Sequence, residues 1–339
     1  MSRHVLALRS SGLVTSVGLT SAAACAAIRA KLTNPSVTRF IPPGGEPLVG
    51  HQVELDTPVR GVAKLVQMAA MAIEEALAGV PREEWSAIPL LLCVAEPGRP
   101  GRVDGLDEEL HAALLERLGA RFADGSAIVA HGRVGLSVAL AQARKLIHQQ
   151  GCEQVLIAAA DSLLSWPTLC VYAAEDRLLT PLNSNGFIPG EAAGAVLLAA
   201  PKGKGELRLD GLGFAVEKAH IESGEPLRGD GLTTAMKAAL AEAGCDLFDI
   251  DWRVSDLSGE QYYFKEAALA LNRILRKRRE DFELWHPAEC IGEAGAAAGL
   301  AGLAVIHAAH LKGYAPGPRS LLHLANDSGA RAAITTHVS

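Results

Sequence analysis

Rings are scarce in this chain: Phe, Tyr and Trp together make up 4% of its 339 residues, which leaves few faces on which bases could stack. The formal net charge of −6 argues against the positive surface that nucleic acid requires, so no nucleic-acid partner is expected. No run of eighteen uncharged apolar residues occurs, so no membrane span is expected. The stretch MSRHVLALRSSG breaks its apolar run before a signal core forms, and the expectation is a cytoplasmic protein. The six cysteines, Cys25, Cys93, Cys152, Cys170, Cys245 and Cys290, form no CxxC pair and no metal-ligand spacing. They read as reduced, mostly buried thiols, and neither a metal nor a cofactor is expected.

Apolar bulk is what the chain has. With 49% hydrophobic residues it can bury a large core and fill two halves of ordinary domain size. His4 to Val14 predicts a strand turning at Gly12, and Thr20 or Ser21 then caps the alanine-rich helix AAACAAIRAKL. Residues 34–60, rich in Pro, Gly and polar side chains, predict a long surface connection. Val62, Leu65, Val66, Ala69, Ile73 and Leu77 recur at helical spacing, with Gly79 as the C-cap. IPLLLCVAEPG predicts a buried strand emptying into a Gly/Pro loop. SAIVA (strand), HGRVG (turn), LSVALAQARKLIHQQG (helix) and CEQVLIAAADS (strand) continue the alternation, which predicts a parallel sheet with helices on its faces.

The charged, glycine-containing segment KGKGE, residues 202–206, is the best boundary. It divides the chain at about residue 201 into halves 1–201 and 202–339. The second half repeats the logic: a strand near Leu207–Phe214, the helix LTTAMKAALAEAG, the strand IDWRVSD, the helix KEAALALNRILRKR, the glycine-rich helix IGEAGAAAGLAGLAVIHAAHLKG, and the strands SLLHLAND and AAITTHV. Two like halves suggest an internal duplication.

The most specific stretch is Arg177–Leu198, RLLTPLNSNGFIPGEAAGAVLL. Its glycines permit close backbone approach, and Ala195–Leu198 is a short apolar run suited to a buried strand. Gly186, Phe187, Gly190, Glu191, Ala193 and Gly194 match in order the G-F-x-x-G-E-x-A-G signature of the beta-ketoacyl synthase family. Gly292 to Gly299, GEAGAAAG, resembles that family's G-H-x-x-G-A-A-G. SGLVTSVGLTSAAACAAIRAKL is similar to its opening. The resemblance implies an α/β, thiolase-like fold: two similar α/β halves in a five-layered arrangement, with the active site between them, and a dimer.

Synthases of this family use a cysteine at a helix N-terminus, where the helix dipole and backbone N–H groups activate the thiol and hold the oxyanion, together with two histidines. Matched to that pattern, the cysteine belongs in the turn Ala130–Gly135, where AHGRVG contains none. Asp256 stands at the first histidine position and Glu293 at the second. Ala288 stands where a lysine is expected, and the closing G-F-G-G loop is reduced to Asn326, Asp327, Ser328 and Gly329. The resemblance therefore points to a degenerate member that has kept the scaffold and lost the Cys-His-His triad.

His131, Arg133, Asp256 and Glu293 should converge in that region. Two carboxylates beside a histidine can do general acid/base work; the competing reading is an ion-pair cluster filling a vacated pocket, since unpaired buried carboxylates are costly. On the second reading Arg133, or else His131 in its charged form, is the expected partner of Asp256 and Glu293, and the pocket is closed. Arg276, Lys277, Arg278 and Arg279 read either as a dock for an acidic carrier protein or as the solvated basic end of a helix. His286, His307, His310 and His323 share no ligand spacing and read as structural. The expected function is that of a pseudo-ketosynthase. It would pair with itself or with a related ketosynthase-like chain, or serve as a binding adaptor or chaperone, with an acyl carrier protein or protein client as possible partners. The alternative is an acyl-metabolism enzyme whose chemistry passes to Asp256 and Glu293.

Overall fold

The computed structural model describes residues 4–42, 45–277, 279 and 281–338. Five strands build the first half of a large mixed sheet: β1 (Leu6–Val14), β2 (Leu90–Val94), β3 (Ala127–Ala130), β4 (Gln154–Ser162) and β5 (Glu191–Ala199). Five more build the second: β6 (Leu207–Val216), β7 (Trp252–Ser255), β8 (Leu284–Trp285), β9 (Arg319–Ala325) and β10 (Ala330–Val338). The strand order is β8-β7-β9-β10-β6-β1-β5-β4-β2-β3. Each half read outward-in is its third, second, fourth, fifth and first strand. The pairing repeats as well: β2 is parallel to β3 and β4, as β7 is to β8 and β9. The halves join where Leu6–Leu8 of β1 runs antiparallel to Leu207–Leu209 of β6.

Helices flank both halves of the sheet. In the first half they are α1 (Ser21–Arg29), α2 (Gly61–Ala76), α3 (Glu109–Leu118), α4 (Gly135–His148) and α5 (Trp166–Ala174). In the second they are α6 (Asp230–Ala243), α7 (Gln261–Ile274) and α8 (Ala298–Leu311), besides the single helical turn Ala288–Ile291. α8 is apolar around nearly its whole circumference, and such a helix must be buried. It packs with α4 in a central cluster, with Leu136 and Leu140 near Leu300 and Ala304, between the inner faces of both sheet halves. α2 and α3 cover the outer face of the first half, and α6 and α7 that of the second. Helix, sheet, helix, sheet and helix make the five layers. β5 is buried along its whole length, which is why AGAVLL reads as a continuous apolar run rather than an alternating one. No helix among the described residues is long and apolar enough to cross a membrane.

Several expectations need correction. The sheet is mixed, not parallel: β5 is antiparallel to β4 and β1, and β9 joins β10 through Asn326–Gly329, too short for a crossover helix. β1 runs straight through Gly12 and turns at Thr15–Gly18. Gly12 is there because a Cβ would stand 2.0 Å from the Ala72 carbonyl oxygen of α2. α2 is capped at Leu77, not Gly79, and α7 stops at Ile274, before the basic residues. The connection 34–60 follows the surface but buries Phe40, Leu48 and Val53. The helices α3 and α5 went unforeseen.

Candidate functional site

Two matching elbows lie at the centre of the molecule. One is the tight turn Gly132–Val134 that starts α4, and the other is Gly295–Ala297, which starts α8. Gly132 and Gly295 adopt φ of +52° and +55°, the left-handed region that costs other residues energy. A Cβ would stand 1.9 Å from a Glu96 carboxylate oxygen at the first and 2.1 Å from one of Asp161 at the second. Asp161 Oδ2 accepts the Ala296 N–H at 2.9 Å, and Arg99 holds the same carboxylate, Nη1 to Oδ1 at 2.6 Å.

The two sequence motifs meet here. Gly186, Phe187 and Gly190 lie in the loop entering β5, Glu191 and Gly194 in β5 itself, Gly292 just before the second elbow and Gly299 in the first turn of α8. Gly190 donates its N–H to the Glu293 carbonyl at 2.9 Å, and Glu293 donates its own to Ile188 at 2.8 Å. Glu293 is fixed by this ladder. Glu191 is buried, accepts the Val53 N–H and the Ser162 hydroxyl at 2.8 Å each, and pairs with Lys64.

Side chains from both halves fill the space between the elbows. Arg133 donates from Nη1 to Glu293 at 3.2 Å and from Nη2 to Tyr263 Oη at 2.8 Å and to Asp327. Arg177 grips Glu260 through two parallel bonds, Nε to Oε1 at 2.7 Å and Nη2 to Oε2 at 2.9 Å. It also donates to Asp327, Nη1 to Oδ2 at 2.8 Å, and its guanidinium lies 4.9 Å from the centre of the Tyr172 ring. The cavity left among Glu96, Arg99, Arg133, Arg177, Glu293 and Asp327 measures about 20 Å³, room for about one water.

Burial pushes the Glu293 carboxyl up to about 7; Arg133 opposes the rise and Asp256 adds to it. Asp256 is raised too, chiefly by burial, against Arg133. Asp327 goes the other way. Burial alone would raise it, but Arg133 and Arg177 together hold its carboxyl well below the usual range. Glu96 is raised by burial despite Arg99 and Arg133.

Of the four residues expected to converge, Arg133 and Glu293 are paired. Asp256 is buried behind them, and its Oδ2 accepts the Ala325 N–H at 2.9 Å; no ion pair joins it to Arg133, whose partners are Glu293 and Asp327. That corrects the expected pairing: Asp327, in the hairpin, takes the second place on the guanidinium. His131 is exposed and takes no part in the network. Arg177, Glu260, Tyr263 and Asp327 are the members that sequence reasoning left out. Arg177 opens the motif and Asp327 lies in the shortened loop, so both had a signal; Glu260 and Tyr263 had none.

Cys93 is fully buried on β2, where a Cβ on Gly135 would stand 3.6 Å from its Sγ, and burial pushes its thiol up to about 12. Such a thiol is inert. His307 is buried against Ser11, Nδ1 to Oγ at 2.9 Å, and burial lowers it to about 4; His323 falls to about 3 for the same reason. Arg279 donates to the Phe248 and Ile250 carbonyls and lies 4.6 Å from the Phe282 ring centre, while Arg278 lies outside the described residues.

No protein-family model and no curated protein matches the chain. Solved structures do. One is a type II polyketide synthase acyl-carrier protein in complex with its ketosynthase bound to the hexaketide (AntDE:AntF), with a TM-score of 0.80 and 15% identity, covering 99% of this chain and 100% of that one. Another is the ishigamide ketosynthase/chain length factor, with 0.77, 16%, 99% and 100%. A third is a ketosynthase in complex with its chain length factor (ApeO and ApeC) from Xenorhabdus doucetiae, with 0.75, 12%, 99% and 98%. Over almost its entire length, then, the chain has the thiolase-like fold of the ketosynthases and chain length factors.

Proposed function

We propose that the chain is a non-catalytic, ketosynthase-like partner subunit that dimerises with a related chain or with itself in the cytoplasm. The carrying observation is the filled site: Arg133, Arg177, Glu260, Glu293 and Asp327 occupy the space between the elbows and leave about 20 Å³, too little for an acyl chain. The turn at the head of α4 offers no thiol. The match to chains that assemble as ketosynthase and chain length factor supports the partner role. The division at about residue 201, within the link from β5 to β6, fits two repeated halves that bring matching elbows together.

A second reading is acid/base catalysis. Glu293, held at about 7, has a suitable proton affinity, with Asp256 behind it. The cavity has no room for a substrate beside them, so the first reading is preferred. Affinity purification of the tagged chain from its native host, with stoichiometry by native mass, tests the proposal. Recovery of a ketosynthase-fold partner, or a dimer of the chain, supports it. An unrelated client in fixed ratio would replace it with the adaptor reading, in which a carrier protein or other client binds the surface. A lone monomer at micromolar concentration contradicts both.

A further inference from the structure

The Asp327 carboxylate receives more donors than an ion pair needs. Arg177 gives it Nη1 at 2.8 Å on Oδ2 and Nη2 at 3.2 Å on Oδ1; Arg133 Nη2 and the Tyr263 hydroxyl both donate to Oδ1. These donors come from three separate elements: the first elbow, the loop after α5 and the head of α7. Each guanidinium also has another carboxyl beside it, Glu293 for Arg133 and Glu260 for Arg177, so Asp327 is a second acidic partner to both. Asp327 itself reaches in from the hairpin between β9 and β10, and at 18% exposure its side chain is the most accessible of this group.

We infer that Arg133, Arg177 and Tyr263 form a receptor for a small carboxylate, and that Asp327 occupies it as a tethered ligand that keeps it closed. Two guanidinium edges and a phenol converging on one planar group match a carboxylate, which takes parallel N–H bonds on both oxygens. The space vacated by the Asp327 carboxyl, next to the existing cavity of about 20 Å³, fits an ion of acetate size and excludes an acyl chain. Tethering gives Asp327 a high effective concentration, so the receptor opens to outside ligands only when that side chain is removed or displaced. The inference stands apart from the partner-subunit reading: the receptor can exist whether or not the chain pairs with a ketosynthase.

The test is rescue by acetate. Asp327→Ala is melted in sodium acetate and in sodium chloride at equal ionic strength, beside the parent and the double variant Asp327→Ala with Arg177→Gln. The single variant is expected to melt below the parent and to regain about 2 °C when acetate exceeds its dissociation constant tenfold, with chloride giving no such gain. The parent and the double variant should show little acetate-specific shift. Should Asp327→Ala not fold, Asp327→Ser, whose side chain is too short to fill the receptor, is melted in the same two salts with the same expectation. Equal shifts in acetate and chloride, or an acetate shift undiminished by Arg177→Gln, overturn the inference.

Discussion

Arg133 and Glu293, 160 positions apart in the chain, meet between the two elbows with Nη1 3.2 Å from Oε2. Both side chains are at least nine-tenths buried. The pair also links the halves of the chain, since Arg133 precedes α4 and Glu293 precedes α8.

Removing Arg133 should therefore be expensive. Arg133→Ala leaves Glu293, Asp327 and the Tyr263 hydroxyl without that donor and is expected to lose roughly 3–5 kcal/mol in urea unfolding. Arg133→Lys should recover only part of it, because one ammonium cannot reproduce a planar fork. A loss below about 1 kcal/mol, the range of exposed pairs, would contradict the burial of the network.

Glu293 gives a pH dependence with a definite sign. Its carboxyl is held at about 7 in the fold against an ordinary 4.5, so between those values the folded chain keeps a proton that the unfolded chain has released. Stability from this group is full below the ordinary value and declines as pH rises through the folded one. Glu293→Gln removes the titration. Variant stability minus parent stability should move in the variant's favour from about pH 5 to about pH 8, read from melts across that range; a flat difference would mean that Glu293 is ionised throughout.

Gly295→Ala tests the second elbow. The left-handed backbone alone should cost roughly 1–2 kcal/mol, and the new methyl must also push Asp161 off the Ala296 N–H that it accepts at 2.9 Å. A melt within experimental error of the parent would show that the turn can relax.

How much of this was legible in the sequence depended on whether a residue's role is local. Gly186–Gly194 and Gly292–Gly299 were readable because short-range packing forces glycine and alanine at fixed spacings, and through them Glu293 was placed in the site. Arg133 was placed by its position in the turn between an apolar strand and a helix. Asp256 was assigned a partner that it does not have, because the spacing of one strand cannot tell a carboxylate facing a guanidinium from one accepting a backbone N–H. Glu260 and Tyr263 were silent for a related reason: they reach Arg177 and Arg133 through the docking of α7, a contact between halves with no periodic trace. The sheet was expected to be parallel because strands and helices alternate, and the hairpin at Asn326–Gly329, which forces an antiparallel pair, was read only as the remnant of a longer loop.

Thiol accessibility separates an inert set from a reactive one. Cys170 is exposed, whereas Cys25, Cys93 and Cys290 are buried, and burial pushes their thiols up to about 11, 12 and 11. Iodoacetamide at neutral pH should label Cys170 in the native protein and reach the buried three only after unfolding. Native labelling of Cys93, read by peptide mass, would show an open path to the head of α4.

The central claim is that this ketosynthase fold does not take up an acyl group, and intact mass after incubation with acyl carrier thioesters tests it most directly. The account predicts an unchanged mass, because the turn before α4 has no thiol and the space beside it is filled. An acyl adduct that disappears when a single cysteine is replaced would contradict it.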